Sequence, residues 1–256
     1  MKSKATIVTT SWDDGNPCDL KIAELLKARD LGGTFYCPFR GPEGRPILTS
    51  TQIRSLAEEG FELGGHTLSH TALTHLCSEE VVREVRGCKT RLEDILGDSV
   101  RMFCYPNGRF NSEVIQHLRA AGFQGARTTR MFRYELGLDP YRMPTSIHAY
   151  PNSRSQYVRN LVRGGNPAGL CWYLTKFVKR NSWVSVAKAQ FDQALREGGV
   201  WHLYGHSWLI EEMALWDGLV EVLDYVSRRE NVRYANNGEL GAPRETAPAP
   251  DLALAS

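Results

Sequence analysis

Short apolar runs alternate with amphipathic segments along most of the chain. Ala5 to Ser11 is β-branched and apolar and leads into Asp13-Asp14-Gly15, the pattern of a buried strand entering a loop. Asp19 to Arg29 places Leu20, Ile22, Leu25 and Leu26 at helical spacing. Gly33 to Phe39 reads as a second strand. Thr49-Ser50-Thr51-Gln52 then reads as a helix start ahead of Ile53, Leu56 and Ala57. Phe61 to His66 is a third strand that stops at Gly64-Gly65. Ser78 to Leu96 predicts a long amphipathic helix, with Ser78 as its N-cap and Val81, Val82, Val85, Leu92 and Ile95 on its apolar side. A fourth strand, Val100 to Tyr105, is closed by Pro106-Asn107-Gly108. A helix over Asn111 to Ala121 and a strand over Phe123 to Thr128 follow. Beyond a strand-like Arg142 to His148, two helices are expected within Tyr157 to Glu197. The chain then predicts a strand at Gly199 to His206, one helix at Leu209 to Arg229 and a last strand at Val232 to Ala235.

Strands alternating with helices predict a parallel sheet with crossover helices. Seven or so such units close most economically as an α/β fold of the distorted (β/α)7 barrel type, one domain over residues 1–240. The segment 241–256 is rich in Pro and Ala and is expected to be a disordered tail. Apolar residues make up 42% of the 256, enough for a substantial core. The formal net charge is +2, and Lys176, Lys179 and Arg180 read as a solvated helix face, so no nucleic-acid partner is expected. No apolar run is long enough to span a membrane. The six cysteines show no CxxC pair, and Met1 to Thr6 carries no signal-like apolar segment. Reduced thiols and a cytoplasmic location are the expectation.

In a β/α barrel, chemistry sits at the C-terminal ends of strands. The polar clusters of this chain fall there. Asp13-Asp14 sets two carboxylates side by side, tolerable at one site if a cation lies between them; an Asp-Gly turn is the plain alternative. His66-Thr67-Leu68-Ser69-His70 spaces two imidazoles one helical turn apart, so that both could reach one metal ion. Asp14, His66 and His70 together make a two-His, one-carboxylate set with an open position, suited to Zn²⁺ and also to Co²⁺, Mn²⁺ or Fe²⁺. His75, five residues beyond His70, reads as structural or solvated. In His202-Leu203-Tyr204-Gly205-His206 the alternate residues share a strand face, and His206, nearest the strand end, is placed to give a proton to a leaving amine. His202 reads better as a packed or supporting residue.

These motifs resemble those of the polysaccharide deacetylase family (NodB-homology, carbohydrate esterase family four). Its Thr-Phe-Asp-Asp-Gly motif is matched by Ser11-Trp12-Asp13-Asp14-Gly15, and its His-Ser/Thr-x-x-His motif by His66 to His70. Phe103 to Gly108 matches the third motif loosely, and Tyr204-Gly205-His206 the Leu-x-His strand. The resemblance runs from about Ile7 to Leu240. It implies a metal-dependent N-deacetylase acting on an amino sugar. Asp13 would be the general base, Asp14, His66 and His70 the metal ligands, and His206 the general acid. A main-chain N–H around Asn107 would face the oxyanion, and Trp12, Tyr105, Pro106, Asn107 and Trp208 would shape the substrate pocket. Core packing is the plain alternative for each of the aromatic residues.

The departures from the family pattern bear on the substrate. Cys104 stands where many members carry an arginine that orients the base, so Arg127 or Arg142 is expected to supply that charge. The fourth motif, Asp-x-x-x-Trp, is not matched, and Asn107 replaces an aromatic residue of the acetyl pocket. A deformylase, a cyclic-amide hydrolase or a non-catalytic sugar-binding protein are the rival outcomes on the same scaffold. Without an export signal the expected substrate is a nucleotide-linked or lipid-linked sugar or a small glycoside. The segment Arg154 to Lys179, with Arg159, Arg163, Trp172 and Tyr173, lies outside the usual motifs. It is a candidate substrate-facing insertion, or a surface for a membrane or a second copy of the chain.

Overall fold

The computed structural model describes residues 5–134, 139–180 and 182–240. The tail expected to be disordered lies outside the described residues. The elements, in chain order, are β1 (Thr6–Asp13), α1 (Asp19–Lys27), β2 (Thr34–Cys37), α2 (Ser50–Glu58), β3 (Glu62–Gly65), α3 (Ser78–Leu96), β4 (Met102–Cys104), α4 (Ser112–Ala120) and β5 (Gly125–Arg127). They continue with β6 (Ile147–His148), α5 (Arg154–Arg163), α6 (Pro167–Trp172), α7 (Trp183–Glu197), β7 (Gly199–Gly205), α8 (Ser207–Glu212), α9 (Trp216–Val226) and β8 (Val232–Tyr234).

Every strand pairing is parallel, and the order is β5-β4-β3-β2-β1-β7-β6. One edge of β1 is shared: β8 takes Thr6–Val8, and β2 takes Ser11–Asp13. The sheet curls so that its ends approach. Met143 bridges to Arg127 of β5, and Ser146 N–H donates to the His202 carbonyl of β7. The result is a distorted (β/α)7 barrel, as the alternation predicts.

The two-residue period of β1 sets the two sides of this barrel. Val8 and Trp12 point outward into the main apolar core, where Ile22, Leu26, Leu56, Val85, Leu118, Phe191 and Leu219 from the helices meet the sheet. Thr9, Ser11 and Asp13 point inward, toward a polar interior. Thr9 Oγ1 donates to Asn237, whose amide donates to the Tyr36 hydroxyl (both 2.9 Å) and so plugs the lower end. Ser11 Oγ meets His202 Nε2 at 2.8 Å.

Several boundaries differ from those the sequence predicts. The N-cap of α3 is Cys77: its carbonyl accepts from Val81 at 2.9 Å, and its N–H donates to Glu80 Oε2 at 3.0 Å. Arg142 to His148 is mostly a short turn and a bridge, with strand geometry only at β6. Tyr157 to Glu197 holds three helices, because α6 runs into a wider turn at Tyr173–Phe177 before α7. The helix expected over Leu209 to Arg229 breaks in two. Ala214 adopts a left-handed φ of 50°, and Leu215 N–H closes onto the Ile210 carbonyl, so α9 starts on a new axis. Among the described residues, no helix is long and apolar enough to cross a membrane.

Candidate active site

The C-terminal ends of β1, β3, β4, β5 and β7 open into one cleft of about 860 Å³. Asp13 ends β1, and its side chain follows Ser11 into the barrel interior. Asp14 then takes a left-handed φ of 77°, which turns its carboxylate back toward the same space. Thr67 and His70 are also left-handed, at 67° and 56°. The His66–His70 segment is therefore a tight loop rather than the helical turn expected from its spacing. Left-handed backbone costs a non-glycine residue roughly 1–2 kcal/mol, and three such residues at one site point to a conformation kept for function. The loop is pinned to α3: the Glu84 carboxylate accepts from Leu68 N–H (2.8 Å), Ser69 N–H (2.9 Å) and Ser69 Oγ (2.7 Å).

Asp14 Oδ1 lies 3.1 Å from His70 Nε2 and 3.5 Å from His66 Nε2. His66 Nδ1 sits 2.8 Å from the Cys104 carbonyl. That oxygen can only accept, so Nδ1 carries the hydrogen and Nε2 is free to ligate. Asp14 Oδ2 accepts from Trp208 Nε1 at 2.9 Å, whereas Asp14 Oδ1 is buried and takes no hydrogen bond. An orphaned carboxylate oxygen beside two imidazole nitrogens, all within 4.8 Å of one another, fits a divalent cation. Burial opposes ionisation of Asp14, but the two histidines outweigh it and hold its pKa far below the ordinary carboxylate value.

Asp13 is paired differently. Arg127, at the end of β5 and fully buried, donates from Nη2 to Asp13 Oδ1. The guanidinium packs 4.7 Å from the Tyr204 ring centroid and 5.4 Å from that of Tyr36. Burial would raise the Asp13 pKa, but Arg127, with His66 and His206, holds it below the usual value. Cys104 Sγ lies 3.8 Å from Asp13 Oδ2. Of the two arginines expected to supply the missing charge, Arg127 meets Asp13. Arg142 stays at the surface, 3.5 Å from Asp139.

His206 follows β7 directly and reaches across the cleft, with Nε2 3.8 Å from Asp13 Oδ2 and 3.9 Å from Asp14 Oδ2. Its Nδ1 lies 3.4 Å from His148 Nε2. His148 is stacked flat on Tyr204 at 4.5 Å. Burial pushes His148 well below its ordinary pKa, with the neighbouring His206 adding to the effect. Burial also lowers His206, against the pull of both aspartates. His202 keeps to the interior: Nδ1 donates to the Pro144 carbonyl, Nε2 faces Ser11, and burial pushes its pKa down to about 3.

Of the expected pocket residues, Tyr105, Asn107 and Trp208 line the cleft. Tyr105 turns its hydroxyl away, to the Tyr141 carbonyl at 2.9 Å, and presents a ring stacked on Phe110. Asn107 accommodates the left-handed turn (φ 58°) that the following Gly108 continues (φ 65°). Trp12 and Pro106 are buried off the cleft; strand alternation puts Trp12 on the face opposite Asp13. From the 154–179 segment only Asn160, Arg163 and Gly164 reach the cleft, while Trp172 packs against Tyr134 and Tyr173 against Phe132. Sequence reasoning missed His148, which pairing with Tyr204 in the neighbouring strand brings to the site. It also missed Arg109 and Arg130 on the cleft wall. No spacing in the chain signals any of these three.

Comparisons with known proteins bear on the family and the fold. Residues 1–126 match the polysaccharide deacetylase family. Over 129 residues the chain is 24% identical to YxkH of Bacillus subtilis (strain 168), covering 50% of this chain and 46% of that protein. It spans from 22% to 54% of the length of the curated relatives it matches. Among solved structures, a Mycobacterium smegmatis protein superposes with a TM-score of 0.66 at 16% identity, covering 94% of this chain and 90% of that one. The chitin deacetylase of Colletotrichum lindemuthianum superposes with a TM-score of 0.60 at 15% identity, covering 95% and 90%. At these identities the likeness is one of fold.

Proposed function

We propose that this chain, which belongs to the polysaccharide deacetylase family through residues 1–126, is a metal-dependent hydrolase that removes the N-acetyl group of an amino sugar. The observation that carries the reading is the orphaned Asp14 Oδ1 between His66 and His70, beside an ionised Asp13 and across from His206. Asp14, His66 and His70 would hold the cation, and an N₂O donor set favours Zn²⁺, with Co²⁺, Mn²⁺ or Fe²⁺ as substitutes. When bound, such a cation supplies Lewis acidity to the amide carbonyl and to a water.

The remaining work belongs to the side chains. Asp13, kept ionised by Arg127, takes the proton of the attacking water. Arg127 fixes which oxygen of Asp13 is engaged and leaves Oδ2 toward His206. The water-derived proton then returns through His206 to the departing amine, as bond cleavage requires. His148 holds the His206 ring from behind, so that its Nε2 stays in the cleft. A main-chain N–H around Asn107 faces the oxyanion. Tyr105 and Trp208 flank the acyl end of the substrate, and Trp208 also steadies Asp14. Six free cysteines support a reducing compartment, and we place the enzyme in the cytoplasm.

The test is Asp13→Asn assayed for acetate release at matched metal content. A loss of about 10³-fold in kcat is expected, since the base acts only in the transition state. Turnover within a few-fold of wild type would overturn the assignment.

A further inference from the structure

The outer wall of the cleft carries more positive charge than its own structure uses. Arg45, Arg109, Arg130 and Arg163 all line it, and beyond Asp13 and Asp14 the sole acid among the described lining residues is Glu43. Arg45 is engaged: it pairs with Glu212, lies 3.9 Å from Glu43 and stacks on Trp208 at 3.8 Å. The other three are exposed and have no carboxylate within ion-pair distance among the described residues. Arg109 meets His75 Nε2 at 2.6 Å, and Arg130 lies 5.1 Å from the Phe110 ring.

These three arginines come from separate segments: the loop after β4, the loop after β5, and the last turn of α5. They converge all the same. The Arg130 Cγ lies 3.9 Å from where a Cβ on Gly164 would sit, next to Arg163, and Phe110 under Arg130 adjoins Arg109. Like charges gathered without an acid between them repel, and an anion relieves the repulsion.

We propose that the amino sugar reaches this enzyme carrying a phosphoryl or diphosphoryl group, held by Arg109, Arg130 and Arg163 while the acetamido end lies at Asp13, Asp14 and His206. The inference rests on the deacetylase reading for the reacting end of the substrate. Phosphate suits the wall better than a single carboxylate. It brings about −1.5 to −2 charges and three acceptor oxygens, which several guanidinium forks engage together. A neutral polysaccharide offers these side chains no ionic partner.

The probe is glucosamine 1-phosphate, which bears the phosphate and has no acyl group to lose, titrated calorimetrically against the full chain beside glucosamine. The phosphorylated sugar should bind at least about 10-fold tighter, as expected for charge-assisted hydrogen bonds. That preference should collapse in the Arg130→Gln/Arg163→Gln double variant and survive in part in Arg130→Lys/Arg163→Lys. Equal binding of the two sugars, or a preference untouched by the Gln pair, overturns the proposal. The probe is not hydrolysed, so the two readings fail separately. Acetate released from neutral N-acetyl sugars without phosphate preference removes this inference alone. Phosphate preference without acetate release from any N-acetyl compound removes the deacetylase reading alone. A nucleoside-diphosphate and a polyprenyl-diphosphate N-acetylhexosamine distinguish the carriers: faster turnover of either than of the free sugar supports the proposal, and slower turnover of both opposes it.

Discussion

Asp13 and Arg127 form a buried charge pair on which the proposed base depends. The folded-state pKa of Asp13 lies below its ordinary 3.8, so the pair's contribution to stability is complete above that pH and is lost as pH falls through the depressed value. In Arg127→Gln, only His66 and His206 still oppose the effect of burial, and the Asp13 pKa rises. The acid limb of the kcat/KM profile should move to higher pH. The stability deficit should be largest at neutral pH, about 3–5 kcal/mol by denaturant titration, and should shrink as pH falls toward 4. An unshifted acid limb would mean that Arg127 does not tune the base. At this scale the sequence was informative where neighbours in the chain are neighbours in the site: Asp13 beside Asp14, and His66 near His70. Arg127 could be named only together with Arg142, and His148 could not be named at all. Their places depend on which strands pair, and nothing local in the sequence records that.

The loop after β3 shows how an element can be found and its geometry misread. The His66–His70 spacing fits a helical turn, yet the loop reaches the same convergence through left-handed Thr67 and His70, clamped by Glu84 of α3. Glu84→Ala would strand two N–H groups and free the loop. Metal affinity should then fall roughly 10–100-fold in a competition titration, as for other supporting groups of metal ligands. Unchanged affinity would show that the loop holds its shape unaided. Gly87 of α3 bears on the same loop, since a Cβ there would sit 2.6 Å from Leu68 Cδ1. Gly87→Ala should weaken metal binding in the same direction and by less. The break between α8 and α9 escaped the sequence for a related reason: Ala214 closes the helix in a conformation usually signalled by glycine.

Over the whole molecule, alternating apolar runs and amphipathic helices were enough to predict the barrel, because a parallel sheet buried on its outer face leaves that pattern in the chain. The closure was hidden. The Met143–Ser146 segment spans the seam with a bridge and isolated hydrogen bonds, and Asn237 plugs the base with side-chain contacts. Neither has a periodic signature. The proposed metal ligands come from two separate strand ends, so a bound cation would tie the sheet together. At 100 times its dissociation constant it should add about 2.7 kcal/mol, raising Tm by roughly 5–10 °C. Asp14→Ala should abolish that rise, and a rise that persists would place the cation elsewhere. The most direct test of the proposed chemistry is to strip the protein with chelator, restore Zn²⁺, and measure acetate released from N-acetyl amino sugars. The account predicts no release from the stripped protein, recovery with Zn²⁺, and none from His66→Ala under either condition. Acetate release that is indifferent to metal, or a metal-loaded protein that yields no acetate from any such sugar, would contradict it.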